Sequence, residues 1–215
     1  LFTEVTNQLN VPINQFAQAF WDLLQVKQSK LHINIEKGLE IKLIEYSDKY
    51  IYSPLIILLL GEVVSRLKQL TNSMPQLTIK TTVTDEDRPS EFLDQKWNNE
   101  RAQSGVIEAY MKFAGFDQTD RYICRIHDSS KLSHHRSLTI CWSDDSQTKI
   151  YLDHGFGFLK YDVKDNESIR SRVNKIKFPF NDSIATQVNE LNRLSQRAIS
   201  LINKEPSTLI TMVQC

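Results

Sequence analysis

Apolar residues recur at three- and four-residue spacing in several stretches of this chain, and the helices they predict frame what lies between. Phe16, Ala19, Phe20, Leu23 and Leu24 make one stripe, a helix packed through an aromatic face, with Asn14 placed to cap its start. A second stripe runs from Glu100 to Phe113 through Ala102, Val106, Ile107, Ala109 and Tyr110, with Gly115 as its stop. The third comprises Ile184, Val188, Leu191, Leu194, Ala198, Leu201 and Ile202. Its spacing predicts one helix from Ser183 to Asn203, docked on the core. A further helix is different in kind. Ser53 suits a cap and Pro54 a first turn, and LIILLLGEVVSRLKQL then runs almost wholly apolar before turning amphipathic, so it must be buried.

Period-two stretches supply the strands. HINIEKGLEIKLIEY alternates apolar and polar residues on both sides of Gly38, predicting a short strand, a turn and a second strand between His32 and Tyr46. Leu77 to Val83 is β-branched and threonine-rich, a third strand. Residues 85–99 are acidic and contain Pro89, a loop. Leu138 to Trp142 and Lys149 to Leu152, separated by a polar turn, predict a β-hairpin, and the tail PSTLITMVQC holds a last strand. Strands and helices in alternation, closed by a hairpin, imply an α/β fold: a mixed sheet flanked by helices, with parallel crossovers and extra N-terminal and C-terminal helices. Residues 1–40 form an N-terminal helical segment and first strand, 41–165 the central α/β domain, and 166–215 a basic segment and docking helix.

Composition narrows the function classes. At 215 residues with 40% hydrophobic and 24% charged residues, the chain can build a real core and is neither disordered nor collagen-like. Its formal net charge is zero, which argues against simple coating of nucleic acid. The halves differ, however: residues 1–120 sum to −4 and 121–215 to +4, so an anion would prefer the second half. Cys124, Cys141 and Cys215 show neither a disulfide framework nor zinc spacing, which points to a reducing compartment. The longest apolar run, Leu55 to Leu60, is far too short for a membrane span, and LFTEV is no leader. A soluble cytoplasmic protein, not inserted in a membrane, is the expectation.

Candidate chemistry gathers between Tyr122 and Tyr161. His134-x-Arg136 runs straight into the first hairpin strand, and Asp153-His-Gly-Phe-Gly-Phe158 closes the second. Alternate residues of a strand share a face, so His134 and Arg136 are expected to meet one ligand together. Guanidinium grips two phosphate oxygens and imidazole carries a proton or attacks phosphorus, which makes the pair a candidate phosphate site. The expectation fails if the two face apart, or if they are sealed against carboxylates. Downstream, Arg170, Arg172, Lys175 and Lys177 form a basic run, a candidate nucleic-acid contact. Several alternatives lack their motifs. No glycine loop opens a helix, no G-x-S-x-G occurs, and the histidines from His127 to His154 lack metal-ligand spacing. No cofactor or metal is expected.

Glu45-Tyr-Ser-Asp48-Lys-Tyr50-Ile, followed by Ser53-Pro54, and the stretch from Arg125-Ile-His127-Asp128 through His134-x-Arg136 to Gly157-Phe158 carry a family resemblance. Over roughly residues 40 to 162 the chain resembles the phospholipase-D-like domain at the carboxy-terminal end of MIT-domain proteins. It is also similar to accessory domains of bacterial DEAD/DEAH helicase-type antiphage defence proteins. The resemblance implies a phospholipase-D-like fold and a phosphate-binding hairpin. It departs from the enzymes' H-x-K-x-x-x-x-D, since Arg136 stands at the lysine position and Cys141 at the aspartate position, in a single copy. It therefore implies a non-catalytic module within a larger defence assembly, binding nucleic acid and other protein subunits. His134 and Arg136 would contact phosphate, supported by Arg125, Lys131 and His135. Two other readings remain: a homodimeric phosphodiesterase or nuclease with His134 as nucleophile, and a structural protein-interaction domain.

Overall fold

Seven strands form one mixed sheet in the computed structural model, which describes residues 2–27, 29–82, 92–93, 97, 100–116, 122–127, 132, 134–161, 176–203 and 209–214. In chain order the strands are β1 (Phe2–Val5), β2 (Ile41–Ser47), β3 (Gln76–Thr82), β4 (Tyr122–His127), β5 (Arg136–Trp142), β6 (Gln147–Leu152), β7 (Leu159–Tyr161), β8 (Leu201–Asn203) and β9 (Leu209–Gln214). The large sheet runs β1-β9-β6-β5-β2-β3-β4, and β7 and β8 pair separately. The helices are α1 (Ile13–Leu24), α2 (Lys30–Glu36), α3 (Pro54–Thr71), α4 (Glu100–Phe113) and α5 (Ile184–Ser195).

The parallel half, β2-β3-β4, is joined through α3 and α4, and the other half is antiparallel. This is the mixed α/β sheet flanked by helices that the alternating pattern predicts. The register sets Ile44 and Tyr46 beside Ile79, Leu77, Leu138 and Ile140, and carries the same row on to Ile150 and Met212. All of these are buried beneath the helices. The opposite face carries half-exposed Glu45, Lys80, Thr139, Cys141, Lys149, Tyr151 and Thr211. Glu45 and Lys80 pair there at 2.6 Å.

The buried helix is α3, in which Leu55 to Leu60 are all at most 2% exposed. Ser53 caps it by accepting from the Ile56 N–H at 3.4 Å, with Pro54 in the first turn. On its flank the Trp21 indole of α1 donates to the Val63 carbonyl at 2.8 Å, so the largest aromatic of α1 is buried with its one polar atom satisfied. Gly115, at φ +89°, ends α4 in the left-handed region that favours glycine.

Four local expectations are corrected. The stretch expected as a strand from His32 is helix α2, started by Ser29, whose hydroxyl accepts from the His32 N–H at 3.1 Å. Leu31 and Asn34 then face inward at helical spacing, which five alternating residues could not signal. The helix expected to reach Asn203 stops at Ser195, and Leu201–Asn203 is a strand. There the Leu201 N–H bonds the Val11 carbonyl at 3.1 Å and the Ile199 carbonyl accepts from Ile13 at 2.8 Å. Tertiary pairing with the start of α1 thus overrides helical periodicity. That same pairing replaces the cap expected from Asn14: the α1 N–H groups of Ile13 and Asn14 bond backbone carbonyls, and Pro12 sits at the cap position without a side-chain bond. Finally, residues 2–5, for which no strand is expected, form β1 against β9. The tail strand itself is found as expected.

Candidate functional site

Where the core-facing rows of β2 and β5 run out, their apolar residues give way to charge. On β2 the row Ile44, Tyr46 is continued one step past the strand by Asp48. Facing it across the sheet, Trp142, Ile140 and Leu138 on β5 lead to Arg136, the strand's first residue. Arg136 Nε lies 3.3 Å from Asp48 Oδ1, an ion pair off the line of a hydrogen bond. Its Nη1 donates to the Asp153 carbonyl at 2.6 Å. The Arg136 side chain is 17% exposed and that of Asp48 only 1%.

Local bonding fixes the carboxylate. The Tyr46 hydroxyl donates to Oδ2 at 2.8 Å and the Tyr50 N–H to Oδ1 at 2.8 Å. The backbone around it is pinned as well, by Asp48 N–H to the Lys80 carbonyl and Thr82 Oγ1 to the Lys49 carbonyl. Burial pushes Asp48 above the usual aspartate range, and the hydrogen bonds from Tyr50 and Tyr46 and the Arg136 charge offset only part of that rise. Burial likewise drives the Tyr46 hydroxyl well up, reinforced by the neighbouring Asp48.

The turn after β6 closes over this pair. Gly155 to Phe158 form one 3-10 turn, and Gly155 has φ +57°. A Cβ at Gly155 would lie 2.1 Å from Asp48 Oδ2 and 2.9 Å from Arg136 Cδ, so only glycine lets the backbone come this close. Phe156 stacks on Tyr46 at 5.6 Å between centroids and meets Phe16 and Phe20 of α1 edge-on. The aspartate, arginine and glycine turn are therefore one packed unit rooted in the core.

His134 lies outside this unit, on its solvent side. Strand β5 begins two residues later, so His134 owes its position to the approach to the strand rather than to strand alternation. Its Nδ1 is 3.4 Å from the Tyr50 hydroxyl, and the Tyr50 ring packs under the Arg136 guanidinium at 5.0 Å. His134, His135 and Arg136 nonetheless line one open cleft of about 520 Å³, together with Tyr151, Asp153 and Thr211.

The structure places His134, His135 and Arg136 on one cleft but commits much of the guanidinium inward. Asp48 offsets the Arg136 charge, so this arginine is less available to an anion than sequence reading implies. Arg125 pairs through its backbone with Lys80 on β3, its side chain lying outside the described residues, as do Lys131, Arg170, Arg172 and Lys175. Lys177 is exposed and lines a different cleft, of about 590 Å³, with Phe178, Glu190 and Arg193. Cys141 is half-buried on the open face, and burial raises its proton affinity, with Glu45 adding to the rise. Among the described residues no group of three or more His, Cys, Asp or Glu is placed to hold a metal, and no helix is long and apolar enough to cross a membrane. The sequence reading missed Asp48, Tyr46, Tyr151 and Asp153 as site residues. The two tyrosines could have been found by alternation, Tyr46 two residues before Asp48 and Tyr151 two before Asp153.

The model for the family described as the C-terminal domain of the DEAD/DEAH box helicase YjiV matches residues 2–213. No curated protein matches the chain.

Proposed function

The chain belongs to the family of C-terminal domains of the DEAD/DEAH box helicase YjiV, and on that premise we propose that it is a non-catalytic module that docks the helicase on the phosphates of nucleic acid. The observation that carries this reading is the convergence of two imidazoles and a guanidinium on one open cleft at the mouth of the hairpin. Ring and guanidinium N–H groups are donors suited to phosphate oxygens. With Arg136 held by Asp48 and the Asp153 carbonyl, the exposed His134 and His135 make the contact and Arg136 supplies its outward edge. Kinship with phospholipase-D-like hairpins, and a setting in a prokaryotic defence assembly with other subunits, belong to the same reading.

Catalysis is not part of it. The cation beside His134 is an arginine tied to a buried carboxylate, a different device from a mobile lysine next to a nucleophile. The test is fluorescence anisotropy of labelled oligonucleotides against the chain and its His134→Ala/His135→Ala double variant. Both positions are exposed, so the fold should survive. Expected is a loss of affinity of at least tenfold in the variant, a steep fall of wild-type affinity with added salt, and intact oligonucleotide after prolonged incubation. Equal affinity in the two proteins with a flat salt response would favour the protein-interaction reading instead. Cleaved product that disappears in the variant would favour the nuclease.

A further inference from the structure

The phosphate reading leaves most of the cleft unused. Its volume of about 520 Å³ falls within the roughly 300–1,000 Å³ of sites that take whole small molecules, and its far wall is built from Tyr151, Asp153 and Thr211. Tyr151 and Thr211 face each other across the β6–β9 pair. Both belong to the half-exposed sheet face rather than to the core. Lys149, two residues earlier on the same strand, holds its Nζ over one face of the Tyr151 ring, 5.1 Å from the centroid. Asp153 stands at the lip with its carboxylate 57% exposed and His154 Nε2 at 3.6 Å.

An aromatic ring, a hydroxyl and a carboxylate beside two imidazoles and a guanidinium do not suit a bare phosphate. A carboxylate repels a second phosphate, yet it accepts from the amino and imino groups on base edges. An aromatic ring on an open sheet face gives a base a surface to stack on, here the face opposite Lys149. The geometry points to a cleft that takes one nucleotide of single-stranded nucleic acid, its phosphate on His134 and His135 and its base on Tyr151, with Asp153 reading a donor on the base edge. Duplex gains nothing from the ring, because paired bases keep their faces stacked on one another. This inference rests on the phosphate reading above and adds the strandedness and the base contact.

The test titrates the chain with labelled single-stranded DNA and RNA 12-mers and with the duplex of the same sequence. Single strands are expected to bind at least tenfold tighter than duplex. Tyr151→Leu, which keeps an apolar side chain on the strand, should weaken single-strand binding about 5- to 150-fold, the range for one lost stack, and leave duplex binding unchanged. Tyr151→Phe should retain single-strand affinity. Equal binding of single strand and duplex by the unaltered chain overturns the inference whatever the variants do, and so does an unchanged single-strand affinity in Tyr151→Leu. If the His134→Ala/His135→Ala variant loses binding while strandedness makes no difference, the phosphate reading stands and this one falls. Failure of the unaltered chain to bind any of the three sinks both.

Discussion

Asp48 and Gly155 show how much of the site is decided by single atoms. Gly38 and Gly155 both have positive φ, but an added Cβ at Gly38 meets nothing within 4 Å, whereas at Gly155 it lands 2.1 Å from Asp48 Oδ2. Gly38→Ala should therefore cost only the backbone term of about 1–2 kcal/mol. Gly155→Ala should exceed that clearly in urea unfolding, since the Asp48–Arg136 pair must move as well. Similar losses for the two would show that the turn yields. Asp48 makes a second prediction, through its raised proton affinity. The folded state holds this proton more tightly than the unfolded chain does, so the stability Asp48 contributes is greatest below the ordinary aspartate value of about 4 and declines as pH rises past it. The stability of wild type minus that of Asp48→Asn should accordingly fall as pH rises above about 4. A difference that grows with pH would mean that the Arg136 charge outweighs burial. None of this pairing was legible in the sequence. His134 and Arg136 stand out because they are two residues apart, while the carboxylate facing Arg136 comes from the residue that follows β2, far away in sequence.

Elements were legible where packing and periodicity agree. Helices α3 and α4, strand β3 and the β5–β6 hairpin lie where their patterns put them, because each pattern is long or is bounded by strong local signals such as Ser53-Pro54 and Gly115. Helix α2 was missed because its apolar residues alternate over one turn, too short a stretch to separate two periods. What decides it is Ser29, whose hydroxyl accepts from the His32 N–H and donates to the Leu24 carbonyl at 3.2 Å, tying the start of α2 to the end of α1. Ser29→Ala should cost about 1–2 kcal/mol of stability, more than an exposed serine would, and Ser29→Asp should recover part of it. Denaturant midpoints of the three proteins check this. The overrun of α5 has the opposite cause. Its apolar stripe continues past Ser195, but Pro12 and Val11 offer backbone partners that turn the next residues extended.

At the scale of the whole molecule, the segments expected to flank a central domain are built into its sheet. Strand β9 lies between β1 and β6, and Ile210 and Met212 are at most 1% exposed. A chain ended after Asn203 would lose that strand, leave the β6 edge unpaired and uncover the core beneath it. It should be insoluble or molten, shown by loss of near-ultraviolet circular dichroism. A soluble, cooperatively unfolding product would show that the C-terminal strand is dispensable. Strand order of this sort cannot be read from local pattern, since β9 is equally good as an edge strand in sequence. The pairing of β1 with β9 has a mechanical side too. Phe2 sits opposite Met212 in an antiparallel pair, so a pull applied to the two strands at that end would part them like a zipper, one bond at a time. Tension applied there would peel off the first strand at low force and leave the cleft of His134 intact.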